Sequence, residues 1–165
     1  MELSMTLKIL LIADSGTWSE AAAERLRGDG HACTACAADA PERAGRMAAE
    51  QEADLVVADL DAIGRAFGAY ARAIRAARTD CRILLVTGRL EDAIVRAALA
   101  AGVSGILLKD AQVVAVSAAV DEVLAGGACF PETVRDRIIV TADGPRLGPH
   151  KDPPSEDAGP PNGGP

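Results

Sequence analysis

Ala53-Asp54-Leu55-Val56-Val57-Ala58-Asp59-Leu60-Asp61 contains an unbroken run of small and β-branched apolar residues that ends in a carboxylate. A run of this kind, without polar alternation, is typical of a strand that is buried on both faces of a parallel sheet. Ligands of open α/β sheets bind in the crevice at the carboxyl ends of the strands. Asp59 is therefore predicted to lie at the working edge of the domain and to act as a chemical group.

Further apolar runs and helical patterns alternate along the chain on both sides of this stretch. Each apolar run is short, and each helical pattern places apolar residues three and four positions apart. The strand patterns cover residues 7–14, 31–37, 81–88 and 104–110, and the helical patterns begin near Ser19, Pro41, Phe67, Glu91 and Val113. Five β–α units in alternation predict an α/β fold with a doubly wound five-stranded parallel sheet and helices on both faces.

The length and composition indicate one domain followed by a tail. The chain has 165 residues, of which 49% are hydrophobic and 2% aromatic, and a core of small aliphatic residues suits helices packed on a sheet better than a β-sandwich. We predict one domain over residues 1–128, a short extra helix over 129–140, and a Pro- and Gly-rich tail over 141–165. The tail has too few large apolar side chains to offset the entropy of ordering it, so we expect it to be disordered.

The charge and hydropathy pattern exclude two classes of partner. A net charge of −7 and the lack of a dense Lys/Arg cluster argue against nucleic-acid binding by this chain alone. No apolar run approaches the ~20 residues that cross a bilayer, and residues 1–6 lack the basic start of a signal peptide. We therefore expect a cytoplasmic protein without membrane contact.

The four cysteines are then expected to be reduced thiols. Cys33-Thr34-Ala35-Cys36 has the C-x-x-C spacing of a redox pair or of half a zinc site. In a strand, however, residues three apart point to opposite faces, and no second Cys/His pair with ligand spacing accompanies this one. We interpret both cysteines as small apolar strand residues.

Four polar residues end four of the predicted strands and meet at one edge of the sheet: Asp14, Asp59, Thr87 and Lys109. Two neighbouring carboxylates attract a hard divalent cation such as Mg²⁺, which would neutralise an incoming phosphoryl group. Lys109 supplies a compact positive charge and Thr87 a hydroxyl donor for the same phosphoryl oxygens. The combination predicts formation of an aspartyl phosphate.

Four segments in this order resemble the signature segments of bacterial response-regulator receiver domains, which have a flavodoxin-like fold. They are Leu11-Ile12-Ala13-Asp14, Val57-Ala58-Asp59-Leu60, Leu85-Val86-Thr87 and Gly105-Ile106-Leu107-Leu108-Lys109-Asp110. The ending Leu107-Leu108-Lys109-Asp110 and the later Pro131-Glu132-Thr133-Val134 are similar to the NarL-type subfamily. The resemblance covers about residues 7 to 140.

The resemblance implies a role for each of these residues. Asp59 would be the phosphoacceptor, supplied by a histidine kinase or a small phosphodonor, with no turnover of a separate substrate. Asp14 and the carbonyl of Asp61 would help Asp59 to hold Mg²⁺, Thr87 would move toward the phosphoryl group, and Lys109 would pair with it. A homodimer partner or an effector protein would contact residues 91–125. The helix-turn-helix that follows a NarL-type receiver is expected to be absent.

Several positions depart from the pattern of the family. Ser15 stands where a second acid usually follows the first strand, so we expect lower metal affinity unless the Asp61 carboxylate substitutes for it. Arg89, two residues after Thr87, is placed to form a salt bridge with Asp61. Ile106 replaces the usual Tyr or Phe, and without that ring the usual rotamer switch is not available.

Two other functions are consistent with parts of the sequence. Because Ser15 and Ile106 weaken the site, the chain could instead be a pseudo-receiver, a docking or dimerisation module that acts without phosphorylation. A flavodoxin-like enzyme or nucleotide binder would need a Gly-rich phosphate loop after the first strand, and Ser15-Gly16-Thr17 is too short for one.

Overall fold

A computed structural model of the chain describes residues 6–110 and 113–150. Strands and helices alternate through most of this length, as the hydropathy pattern predicts. The elements are β1 (Lys8–Ile12), α1 (Thr17–Gly28), β2 (Ala32–Cys36), α2 (Pro41–Glu50), β3 (Leu55–Asp59), α3 (Leu60–Ile63), a 3₁₀ turn (Gly64–Ala66), α4 (Phe67–Ala77), β4 (Arg82–Thr87), α5 (Asp92–Ala100), β5 (Gly105–Leu108), α6 (Val114–Leu124), α7 (Glu132–Arg135), β6 (Ile138–Thr141) and β7 (Gly144–Leu147).

The first five strands form one parallel sheet in the order β2-β1-β3-β4-β5. Ile12 pairs with Ala58, Asp59 with Val86, and Thr87 with Leu108. The register therefore brings the carboxyl ends of β1, β3, β4 and β5 to the same edge of the sheet. The predicted doubly wound α/β fold is confirmed.

Helices cover both faces of this sheet, which is why its strands carry unbroken apolar runs. Val56 and Leu85 belong to the core on the face of α2, α4 and α5, whereas Val57 and Leu84 belong to the core on the face of α1 and α6. All five residues of β3 are buried. No helix in the described ranges is long and apolar enough to cross a membrane.

The cysteines are free thiols in the described chain, and the two of the C-x-x-C segment face different cores. Cys33 lies in the core on the α1 face and Cys36 in the core on the α2 face. Burial raises the pKa of both thiols and raises the pKa of Cys81 to about 11. The opposite orientations support their interpretation as apolar strand residues.

The structure corrects the prediction for residues 129–147. A helix over 129–140 and disorder from residue 141 were expected, but only Glu132–Arg135 is helical, and β6 and β7 form an antiparallel hairpin. The β-branched run at 138–140 pairs across a tight turn, where the Thr141 hydroxyl donates to the carbonyl of Gly144 at 2.7 Å. Gly144 has a φ of 115°, which few other residues tolerate. Of the predicted tail, residues 151–165 lie outside the described residues.

A candidate phosphoacceptor site at the ends of the strands

Asp59 is the last residue of β3 and is only 6% exposed. One carboxylate oxygen, Oδ1, accepts a hydrogen bond from the backbone N–H of Asp61 at 3.0 Å. This bond caps the first turn of α3, the single-turn helix that directly follows β3. The short helix therefore fixes the orientation of the Asp59 carboxylate at the sheet edge.

Lys109 follows β5 and reaches across the edge to β3. Its ammonium nitrogen, Nζ, lies 2.8 Å from Asp59 Oδ2 and 3.0 Å from Asp61 Oδ2. Burial by itself would lower the pKa of Lys109, but the bonds to the two carboxylates outweigh it and raise that pKa above its ordinary value. Lys109 is thus a protonated cation that is shared between two acids.

The Asp61 carboxylate contacts residues at the ends of β4 and β5. Besides Lys109, it accepts hydrogen bonds from the Thr87 hydroxyl at 3.3 Å and from the backbone N–H of Gly88 at 2.9 Å. Burial would raise the pKa of Asp61, yet these donors lower it overall. The sequence did not predict these contacts, although Asp61 follows β3 closely and Thr87-Gly88 ends the neighbouring strand β4.

Thr87 is 1% exposed and holds the loop between β4 and α5. Its hydroxyl oxygen accepts a hydrogen bond from the Arg89 N–H at 3.2 Å and lies 2.9 Å from the Arg89 carbonyl, to which it can donate. Thr87 also borders a cavity of about 520 Å³ between α4 and α5, whose lining includes Phe67, Leu85 and Ile94. The side chain therefore has open space beside it.

Arg89 and Ile106 are the two further positions for which the sequence raised an expectation, a salt bridge to Asp61 for Arg89 and the lack of an aromatic switch residue for Ile106. The Arg89 side chain is 84% exposed and its nearest acid is Glu91, at 3.9 Å. The predicted Arg89–Asp61 salt bridge is therefore not formed, because Lys109 and the donors of β4 already surround the Asp61 carboxylate. Ile106 is 1% exposed and packs in the core on the α5 face.

Asp14 and Ser15 lie at the end of β1, next to β3, and both are exposed. They line a cavity of about 410 Å³ on the β2 side of that strand end. In the part of the chain that the structure describes, no three His, Cys, Asp or Glu side chains form a group that could hold a metal ion. Two carboxylates and a carbonyl of this edge are donors of the kind that Mg²⁺ prefers, but the Asp61 carboxylate has other partners and does not stand in for a second acid at Ser15.

Trp18, the one tryptophan of the sequence, adjoins the site from α1. The centre of its ring lies 5.9 Å from Lys109 Nζ, within the range of a cation–π contact. A change in the position of Lys109 would therefore alter the surroundings of this ring.

The arrangement can bind and transfer a charged oxygen-bearing group. A buried carboxylate at a binding edge can act as a nucleophile, and a neighbouring ammonium and hydroxyl can stabilise negative charge that develops on the group it attacks. The structure joins Asp59, Asp61, Thr87 and Lys109 by direct contacts. Asp14 and Ser15 are at the same sheet edge, but the Asp14 side chain forms no hydrogen bond or ion pair with other described residues.

Comparisons with known proteins agree with this geometry. Residues 9–121 match the model of the response regulator receiver domain. A two-component response regulator of the LuxR family from Aurantimonas sp. SI85-9A1 is 28% identical, with a TM-score of 0.69 over 80% of this chain and 94% of that one. The signal receiver domain of a protein described as NarL from Mycobacterium tuberculosis is 25% identical, with a TM-score of 0.63 over 74% and 99%.

A third solved structure shows the fold alone, since its identity is 16%. It is the isolated receiver domain of RcsB from Salmonella enterica serovar Typhimurium in the presence of phosphomimetic BeF₃⁻, with a TM-score of 0.67 over 80% of this chain and 98% of that one. No curated protein matches the chain significantly. Receiver domains are signalling modules rather than turnover enzymes, and magnesium and a phosphorylated residue are typical of them. On the match over residues 9–121, this chain belongs to the receiver domains of two-component response regulators.

Proposed function

We propose that this chain is a phosphorylatable receiver of the NarL type, in which Asp59 accepts the phosphoryl group from a histidine kinase or a small phosphodonor. The observation that carries the proposal is the pairing of Asp59 with Lys109 at 2.8 Å, at the carboxyl edge of the parallel sheet. An ion pair that only stabilises the fold can lie at any place in the structure, whereas this one lies at the sheet edge where ligands of such sheets bind. It also places the cation next to the oxygen that would carry the phosphoryl group.

The reaction is a single displacement at phosphorus. A carboxylate oxygen of Asp59 forms the new O–P bond while the bond between phosphorus and the donor's leaving atom breaks, and the leaving group keeps the electron pair. Asp14, Asp59 and the carbonyl of Asp61 would hold Mg²⁺, whose charge offsets the repulsion between the carboxylate and the phosphoryl oxygens. Lys109 would exchange its bond to Asp59 Oδ2 for one to a phosphoryl oxygen.

Acetyl phosphate provides the test. The full chain is incubated with Mg²⁺ and acetyl phosphate, and its intact mass is measured. We expect wild type to gain the mass of one phosphoryl group and D59N to gain none. The control is D80N, which removes an exposed acid just before the start of β4, at the end of that strand opposite the site, and it should behave like wild type. A wild-type chain that stays unmodified at high Mg²⁺, while its fold is intact, overturns the proposal.

A second function, a docking or dimerisation module that acts without phosphorylation, is favoured by one observation. Lys109 is bound to Asp61 as well as to Asp59, so the cation of the site is already satisfied by two carboxylates. If that arrangement never opens, the acidic site is only a structural ion-pair network. The same mass measurement separates the two functions, because only the phosphorylatable receiver gains mass.

A further inference from the structure

The segment after α6 folds back onto the sheet and onto α5. Cys129 lies beside β5, where its N–H donates to the Ser104 carbonyl at 3.0 Å and its carbonyl accepts from the Ile106 N–H at 2.8 Å. Val134 of α7 is 2% exposed and belongs to the core on the α5 face. The chain beyond the matched receiver residues is therefore an integral layer on one side of the fold.

Arg137 anchors the hairpin of β6 and β7 to the start of α5. Its side chain is only 8% exposed and makes two hydrogen bonds to the Asp92 carboxylate, at 2.9 and 2.7 Å. The same guanidinium donates to the Gly148 carbonyl at 3.1 Å, and the Gly148 N–H donates to the Arg137 carbonyl at 2.7 Å. A bidentate pair of this kind is strong and directional, and removing one partner leaves a buried charge uncompensated.

The remaining contacts between the hairpin and α5 are less complete. Ile138 and Leu147, at the base of the hairpin, pack against the core that includes Leu99 of α5. A crevice of about 550 Å³ lies between α5 and β7, and the outer part of the hairpin exposes 52% of Ile139 and 83% of Val140. Attachment of the hairpin therefore depends largely on the Arg137 anchor and on the apolar base.

The loop from Thr87 to Asp92 connects this anchor to the candidate phosphoacceptor site. A hydroxyl group has one hydrogen to donate, and the partners within reach of Thr87 are the Arg89 carbonyl and the Asp61 carboxylate. If the Thr87 hydroxyl donates its hydrogen bond to a phosphoryl oxygen on Asp59, it no longer donates to the Arg89 carbonyl or to the Asp61 carboxylate. Asp92, the first residue of α5, lies three residues after Arg89. A change in the conformation of the Thr87–Asp92 loop would therefore move the Asp92 carboxylate, which accepts the hydrogen bonds from Arg137.

We propose that the β6–β7 hairpin is an intramolecular cover of α5, and that phosphorylation of Asp59 weakens its Arg137–Asp92 anchor through the Thr87–Asp92 loop. Release exposes Leu99, which is 6% exposed in the covered state, on the side of α5 that also carries Asp92 and Arg96, since these three positions share one face of a helix. The inference rests on the proposed function, because the trigger is the phosphoryl group. Only a trigger that favours the released state over the covered state can shift this equilibrium.

Hydrogen exchange measured by mass spectrometry tests the cover, on the full chain with and without acetyl phosphate and Mg²⁺. We expect residues 138–148 of the phosphorylated protein to exchange at least about tenfold faster, while residues 55–59 of β3 are unchanged, because local opening leaves the core intact. D92N should exchange fast in this hairpin without any phosphodonor. The matched control is R135Q, which removes an exposed arginine of α7 that forms no ion pair with other described residues.

The outcomes separate the cover from the proposed function. If wild type gains the phosphoryl mass but the hairpin exchanges as before, the cover is refuted and the phosphoacceptor function stands. If D92N leaves the exchange of the hairpin unchanged while its fold is intact, the anchor has no such role and the cover is refuted as well. If wild type gains no mass, the proposed function fails and the inference fails with it.

Discussion

Lys109 Nζ lies 3.0 Å from Asp61 Oδ2, almost as close as its 2.8 Å contact with Asp59. The cation that would bind the phosphoryl oxygens is therefore shared with an acid that takes no part in the displacement. Asp61 also accepts from Thr87, the other group expected to bind those oxygens. A phosphoryl group on Asp59 has to compete with the Asp61 carboxylate for both donors.

Removing this competitor should speed phosphorylation. We expect D61A to be phosphorylated by acetyl phosphate about 2- to 10-fold faster than wild type at saturating Mg²⁺, the range that corresponds to one hydrogen bond of about 0.5–1.5 kcal/mol. The backbone carbonyl of residue 61 is kept in this variant. The rate is followed by intact mass. The control is E91A, because Glu91 lines the same cavity between α4 and α5 as Asp61. A slower rate in D61A than in wild type would mean that the Asp61 carboxylate supports the reaction.

A second acid after β1 should strengthen metal binding. Ser15 is exposed beside Asp14, and no described carboxylate replaces it, so S15D is expected to bind Mg²⁺ about 10-fold more tightly or better. Trp18 fluorescence reports the titration, because the ring contacts Lys109. An S15D affinity equal to that of wild type would show that the wild-type site lacks no ligand.

The close approach of β5 to the segment around Cys129 makes Gly105 sensitive to substitution. A Cβ at this position would overlap the carbonyl oxygen of Cys129, so G105A should lose about 1–3 kcal/mol of unfolding free energy. Urea denaturation measures the change. G28A is the matched control, since a Cβ at the end of α1 meets no atom within 4 Å, and an equal stability of both variants would contradict the tight pairing of Cys129 with β5.

Attachment of the hairpin should depend on pH through Asp92. Hydrogen bonds from Arg137 hold the pKa of Asp92 below its ordinary value of 3.8, and the nearby Arg96 guanidinium lowers that pKa further. A lowered pKa stabilises the folded state fully above the unfolded pKa, and this contribution is lost as the pH falls through the folded pKa. We expect the amide resonances of Arg137 and Gly148 to keep their positions from about pH 7 to pH 4 and to shift only in more acidic solution. D92N should lack this transition, and an identical profile in both proteins would assign it to another group.

The fold could be predicted because the inner strands of its sheet are buried on both faces. Runs such as Val56-Val57-Ala58 have no polar alternation, and four of the five runs end in a polar residue that the parallel register then places at one edge. Asp59, Thr87 and Lys109 could be identified together for this reason, since the ends of parallel strands meet whatever the loops between them do.

The contacts of Asp61 and the C-terminal hairpin could not be predicted in the same way. The direction of the Asp61 side chain depends on α3, a single turn held by the Asp59 carboxylate, and a pattern of four residues does not distinguish that turn from a loop. The hairpin has two strands of four residues with little apolar surface, and its attachment depends on an Arg137–Asp92 pair 45 residues apart in sequence. Long-range ion pairs leave no periodic signal in a sequence.

Chemical mapping of the phosphoryl group tests the central claim most directly. After incubation of the full chain with Mg²⁺ and acetyl phosphate, borohydride reduces an aspartyl phosphate to homoserine, and peptide mass spectrometry locates the converted residue. We expect homoserine at position 59 in wild type and none at that position when Mg²⁺ is removed. Homoserine at Asp14 or Asp61 with Asp59 unmodified would contradict this expectation.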